Sequence, residues 1–173
     1  LFDDVDVVLH WHPSSQNHAR PRTSNSNKSA KFSFQGISAH AAGAPEKGRS
    51  ALDGVESMNM MVNLMREHMP QDSRIHYVIT KGGLAPNVVP DEAEVYYYVR
   101  HPKRQMVEKL FNRVVKAAKG AAMGTETTVS FEVIHGNYSL MPNDTLQKIM
   151  HEKLSARGGV TYSSKENKFA NTI

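Results

Sequence analysis

His40 is the residue whose setting first suggests chemistry. It lies in the stretch Phe34-Gln35-Gly36-Ile37-Ser38-Ala39-His40-Ala41-Ala42-Gly43-Ala44-Pro45, between a short apolar strand ending at Gly36 and a helical pattern beginning after Ser50. Its neighbours Ser38, Ala39, Ala41, Ala42 and Gly43 are small. They let another molecule approach the backbone and leave the imidazole as the one bulky polar group it would meet. Gly36 and Gly43 can take backbone angles closed to other residues, and loops held by regular elements are where functional groups concentrate. The plainer reading is a loop histidine that caps a neighbouring carbonyl. Two more imidazoles stand in His10-Trp11-His12-Pro13. Imidazole is the commonest nitrogen ligand for a divalent metal. A metal site needs three or four ligands, however, and no partner for this pair is obvious nearby.

These groups need regular elements to position them. Val7-Val8-Leu9, bounded by Asp3, Asp4 and Asp6 on one side and the histidines on the other, reads as a buried strand of a sheet covered on both faces. His10 and His12 would share one face at its carboxyl end, where ligands collect in open α/β sheets. Residues 14–29 are rich in Ser, Asn, Arg and Pro and read as a linker. From Ala30, Phe32 and Phe34 alternate with polar residues as in a half-buried strand. Ser50 with Asp53 marks a helix start. Ala51, Val55, Met58, Val62, Met65 and Met69 then form one helical face as far as Pro70. Met60, Met61 and Leu64 widen that surface, which predicts cover from more than one side, including a partner chain.

Residues 74–81 alternate again through Ile75, Tyr77 and Ile79, and Gly82-Gly83 breaks the strand. A proline-flanked loop, Leu84-Ala85-Pro86-Asn87-Val88-Val89-Pro90, leads to a strand from Ala93 to Arg100. Alternation puts Ala93, Val95, Tyr97 and Val99 on one face, with Glu94, Tyr96, Tyr98 and Arg100 on the other. A second helix carries Met106, Leu110, Val114 and Ala117 on one side and is expected to close at Gly120 and Gly124. Residues 127–135 give a last strand through Val129, Phe131 and Val133. Strand, helix, strand, strand, helix, strand is the split βαβ, ferredoxin-like order: an α+β, two-layer domain with both helices on one face of an antiparallel sheet. Asn143-Asp144 opens a further helix that Gly158-Gly159 ends. The expected organisation is a fragment of a larger α/β domain with linker over 1–29, the ferredoxin-like domain over 30–136, and an incomplete return to the larger domain over 137–173.

Bulk composition narrows the classes. Lys plus Arg is 21 against 17 for Asp plus Glu, a formal net charge of +4 without the basic stripe that nucleic-acid binding needs. There is no cysteine, hence no disulfide and no thiolate ligand; that fits a reducing compartment, and a cytoplasmic location is expected. No apolar run is long enough to cross a bilayer. The sequence opens at Leu1 rather than Met, which leads us to expect a piece of a longer chain.

The blocks Gly36-Ile37-Ser38-Ala39-His40-Ala41-Ala42, Gly48-Arg49-Ser50-Ala51-Leu52-Asp53-Gly54, Gly82-Gly83 with Asn87-Val88-Val89-Pro90, and Tyr98-Val99-Arg100 together resemble the lid or dimerisation domain of the dinuclear-metal M20 peptidases and amidohydrolases. His10-Trp11-His12-Pro13 looks like the end of a strand in their catalytic domain. The resemblance implies a homodimer through the lid, with the edge over 74–81 as candidate interface, and room for a second related subunit. It implies two divalent metal ions, zinc or manganese, with His10 as one ligand and His12 structural. His40 matches the lid histidine that donates a hydrogen bond to the scissile carbonyl oxygen in the neighbouring subunit. Asn87 and Arg100 match residues holding the substrate's free carboxylate, for which a guanidinium fork is well shaped. The implied reaction is hydrolysis of an amide beside that carboxylate, as in aminobenzoyl-glutamate. Arg100 could instead pair with Glu94 or Asp91, and Asn87 could cap its own turn.

One histidine does not hold two metals, so the chain alone is expected to be inactive. The rival reading is a non-catalytic ferredoxin-like binding or regulatory module. Its RNA-binding form would use Tyr96 and Tyr98, but no basic-Gly-aromatic signature accompanies them.

Overall fold

Alternation in the strands and a three-to-four repeat in the helices meet in one core. The structure, a computed structural model, describes residues 2–20 and 22–172. Leu1, Pro21 and Ile173, which fall in the opening, linker and closing stretches of the sequence, lie outside the described residues. The chain divides into two units, Thr23–Met141 and a second made of Leu1–Arg22 with Pro142–Ile173.

In the first unit β1 (Ser26–Gln35), α1 (Ala51–Met65), β2 (Arg74–Lys81), β3 (Glu92–His101), α2 (Arg104–Gly124) and β4 (Thr128–Asn137) follow in the expected order. The strands form one sheet in the order β2-β3-β1-β4, and every neighbouring pair is antiparallel. That is the ferredoxin-like arrangement. Phe32 and Phe34 of β1, Val95, Tyr97 and Val99 of β3, Val55, Met58 and Val62 of α1, and Leu110 and Val114 of α2 make up the centre of the core. Each such side chain contributes roughly 1.5–3 kcal/mol by leaving water. Inside it the Tyr97 hydroxyl donates to Asn59 Oδ1 at 2.5 Å, satisfying a polar pair that the two layers bury together.

Ser50 caps α1 as its type predicts, its side chain accepting from the Asp53 N–H at 3.1 Å. The α-helix ends at Met65 and a single 3-10 turn, Arg66–His68, completes the run to Pro70. Met60, Met61 and Leu64 are exposed, so this chain does not cover the widened face. β1 begins at Ser26 rather than at Ala30, because Asn27, Lys28 and Ser29 pair with both neighbours although their side chains carry no apolar signal. In α2, Gly120 lies inside the helix instead of closing it. A lone glycine costs only about 1 kcal/mol, and the surrounding alanines carry the helix on to Gly124. The buried face accordingly runs through Val107, Phe111, Ala118 and Ala121, leaving Met106 and Ala117 at its margin.

The second unit contains α3 (Asp144–Arg157) and α4 (Ser164–Ala170). Asn143 caps α3, and Gly158, with φ of 76°, ends it. α4 starts on a reciprocal pair in which the Ser163 side chain accepts from the Glu166 N–H and the Glu166 side chain accepts from the Ser163 N–H. Gln147 donates to the Arg20 carbonyl at 2.8 Å, joining the unit's two segments. The buried strand expected at Val7-Val8-Leu9 is absent: all three residues are exposed and belong to no strand. A strand buried on both faces takes its hydrogen bonds and its cover from neighbouring strands. Among the described residues this unit has none, so His10 and His12 are not displayed on a strand face.

Gly36 marks where β1 gives way to the loop carrying His40. A Cβ there would stand 1.9 Å from the Arg49 carbonyl oxygen and 2.9 Å from the Ala51 nitrogen. Replacing Gly36 with Ala is therefore expected to destabilise the first unit by about 3 kcal/mol, measured as a lower urea midpoint; an unchanged midpoint would contradict the close approach.

Candidate active site

Pairing between β1 and β3 continues past the sheet. Beyond Gln35 and Glu92, the Gly36 N–H donates to the Asp91 carbonyl at 2.7 Å and the Val89 N–H to the Ala39 carbonyl at 3.0 Å. His40 then bridges to Val88, and the Ala41 N–H donates to the Asn87 carbonyl at 3.0 Å. His40 and Asn87 thus emerge side by side at one end of the sheet. Ile37 and Arg49 exchange two backbone hydrogen bonds of 2.8 Å, which ties the same ribbon to the start of α1.

The chain turns sharply after His40, with the Ala44 N–H donating to the His40 carbonyl at 3.1 Å. The ring does not cap a carbonyl. Its Nδ1 accepts from the backbone N–H groups of Ala42 at 3.3 Å and Gly43 at 3.0 Å. Those donors place the proton of the neutral ring on Nε2. The half-exposed loop therefore presents an N–H donor to whatever approaches it. Asn87 sits at a turn, exposed, and among the described residues its side-chain amide has no hydrogen-bond partner; it does not cap its own turn. A shallow depression of about 400 Å³ opens beside these loops, lined by Ser50, Asp53, Gly83, Pro86, Val88 and Pro90 among others.

Arg100 is elsewhere. It pairs with Asn27 and Arg74 at the far end of β3, eight residues on from Glu92, roughly 26 Å away at about 3.3 Å per residue. Within one chain Asn87 and Arg100 stand at opposite ends of the sheet, whereas His40 and Asn87 stand side by side. Arg100 has no ion pair among the described residues. Glu94, an acid within reach on the sequence pattern, is held by the Thr80 hydroxyl at 2.7 Å and by Lys31 at 3.1 Å. First the Thr80 hydrogen bond and then the Lys31 and Ser33 contacts hold its carboxyl below the usual range, against some desolvation. Asp91 stands at the other end of the strand.

The sheet face away from the helices carries a polar aromatic row. His76, Tyr98, Ser29 and His135 lie side by side across the four strands. Tyr98 Oη reaches over Ser29 to His135 Nε2 at 2.5 Å, and Tyr96 Oη lies 3.2 Å from Ser29 Oγ. The Arg100 guanidinium lies over the Tyr98 ring, 5.4 Å from its centroid. Burial, and next the positive field of Arg100, lower the His76 pKa below its ordinary value. Alternation alone places Tyr96 and Tyr98 on this face. The reach to His135 is not legible in the sequence, because it depends on β1 lying between β3 and β4 with a small residue at that row.

His10 lies exposed in the second unit. Among the described residues no three His, Cys, Asp or Glu side chains cluster in a way that could hold a metal ion. By themselves the donors among the described residues do not make up a dinuclear centre. Among the same residues no helix is long and apolar enough to cross a membrane.

A ferredoxin-like layer with β2 at its edge and an apolar helix face left uncovered at Met60, Met61 and Leu64 defines the class, an α+β domain with surfaces open to another chain. Known proteins give that class its family: the chain belongs to the M20 peptidase dimerisation domain family, whose profile, described as the peptidase dimerisation domain, matches residues 23–126. It is 42% identical to a subunit of the p-aminobenzoyl-glutamate hydrolase of Escherichia coli over 100% of this chain and 36% of that protein. It is 33% identical to the Xaa-Arg dipeptidase of Mus musculus over 84% of this chain and 34% of that one. The chain therefore spans about a third of the length of the curated relatives it matches. The fold is shared with an aminobenzoyl-glutamate utilization protein from Klebsiella pneumoniae, with a TM-score of 0.62 and 22% identity over 79% of this chain and 35% of that one.

The His40 geometry has a direct readout. Long-range nitrogen–proton correlation spectra at a pH where the ring is neutral are expected to show the His40 proton on Nε2; a proton on Nδ1 would refute the two amide contacts.

Proposed function

We propose that this chain is the dimerisation part of a cytoplasmic metal-dependent amidohydrolase that cleaves an amide beside a free carboxylate, with p-aminobenzoyl-glutamate as the favoured substrate. The observation carrying this reading is the placement of His40 and Asn87 at one end of the sheet and an acid-free Arg100 at the other. In a homodimer the two ends come from different chains. The Nε2–H of His40 from one subunit donates to the scissile carbonyl oxygen as it gains negative charge. Asn87 from that subunit and Arg100 from the other hold the carboxylate. Binding both ends of the substrate fixes the amide against the imidazole, so that the donor is in place when charge develops.

Two divalent ions, zinc or manganese, would activate the attacking water, and His10 is the one candidate ligand in this chain; the remaining donors belong to the rest of the whole protein. The exposed edge β2 and the uncovered Met60, Met61 and Leu64 of α1 are the surfaces offered for the subunit contact. A second related subunit would use the same surfaces.

The 173-residue chain alone is expected to show no turnover of p-aminobenzoyl-glutamate with added zinc or manganese, followed by release of p-aminobenzoate; measurable turnover would sink the division of labour. In the full-length protein, H40A is expected to lower kcat about 10²–10³-fold. Mixing unfolded H40A and R100Q protomers and refolding them should restore roughly a quarter of wild-type activity, since half the dimers are hybrids with one intact site of two. H40A mixed with N87A should restore none. Equal recovery in both mixtures, or in neither, would overturn the assignment of groups to chains.

A further inference from the structure

We propose that Tyr98 and His135 are positioning residues for Arg100: the Tyr98 ring is the platform on which the guanidinium rests, and His135 tethers that platform. The inference rests on the reading of Arg100 as the carboxylate clamp. An exposed arginine near the end of a strand, with no acid beside it, is free to sample many rotamers, and ordering such a side chain on each binding event weakens affinity. Here the guanidinium lies over the Tyr98 ring at 5.4 Å, where the aromatic face attracts a cation. The ring is itself held at several points. Its hydroxyl meets His135 Nε2 at 2.5 Å and receives a hydrogen bond from Tyr96 at 3.4 Å. Tyr96 and His135 also contact it edge-on, with centroids 5.3 and 5.1 Å away.

Ser29, fully buried beneath, is small enough to let the ring span from β3 to β4. Arg74, directly across from Arg100, does not compete for the same anion. Its guanidinium turns back to the carbonyls of Gln71 at 2.5 Å and Ser73 at 2.6 Å. Of these two, Arg100 is the one left without a carbonyl or acid partner among the described residues, backed by an aromatic face on a tether that crosses three strands.

The test uses the full-length protein with p-aminobenzoyl-glutamate and measures KM and kcat separately. Tyr98→Leu is expected to raise KM about three- to tenfold with kcat nearly unchanged. Tyr98→Phe and His135→Ala should each give a smaller rise, and the double variant less than the sum of the two, because both break the Tyr98–His135 hydrogen bond. In an Arg100→Gln background, Tyr98→Leu should add nothing. If Arg100→Gln raises KM while Tyr98→Leu does not, or if Tyr98→Leu acts equally in both backgrounds, the positioning role is wrong although the clamp stands. If Arg100→Gln leaves KM unchanged, the clamp itself is wrong and this inference falls with it. Should Tyr98→Leu fail to fold, as judged by its thermal transition, the Tyr98→Phe and His135→Ala cycle decides: additive effects overturn the tether.

Discussion

The antiparallel pairing of β1 with β3 is the constraint on which the display of functional groups depends. It runs through the middle of the sheet and is one continuous ladder from Ser26 opposite His101 to Gln35 opposite Glu92. Because it does not stop there, the backbone that builds the core also carries His40 and Asn87 outward as neighbours. The same ladder fixes Arg100 a full strand length away. A register slip of one residue would turn Phe32, Phe34, Val95 and Tyr97 out of the core, so the placement of the polar groups is guarded by the free energy of the whole apolar layer.

Charge is distributed to the same end. Lys28 meets Glu108, Lys31 meets Glu94, Arg49 meets Glu126, and Arg104 meets Glu108. These pairs sit at or near the surface and each is worth little by itself. The pair that bears on Arg100 is the second, since Lys31, with the Thr80 hydroxyl, holds Glu94, the acid on the same face of β3. His76 nearby feels that guanidinium: after burial, the field of Arg100 is the next cause of its lowered pKa.

Much of this is legible in the sequence because burial leaves a period. The alternation of Ala93, Val95, Tyr97 and Val99 with Glu94, Tyr96, Tyr98 and Arg100 gives the two faces of β3, and Ser50 with Asp53 gives the start of α1. What stays hidden depends on partners that are distant along the chain. Val7-Val8-Leu9 looks like a core strand, but only neighbouring strands would make it one. Asn87 and Arg100, matched to one role by their motifs, flank the length of a strand. α4 escapes a reading by pattern although Ser163 and Glu166 carry a capping pair, because seven residues leave no helical repeat to recognise. At His40 the loop composition points to the right residue, and the orientation of its ring comes only from the turn.

That turn has a thermodynamic consequence. The clip on the imidazole is made entirely by amides two and three positions downstream, within a single tight bend. The loss of freedom in the ring is therefore settled once, when the polypeptide folds, and does not recur at every encounter with a ligand.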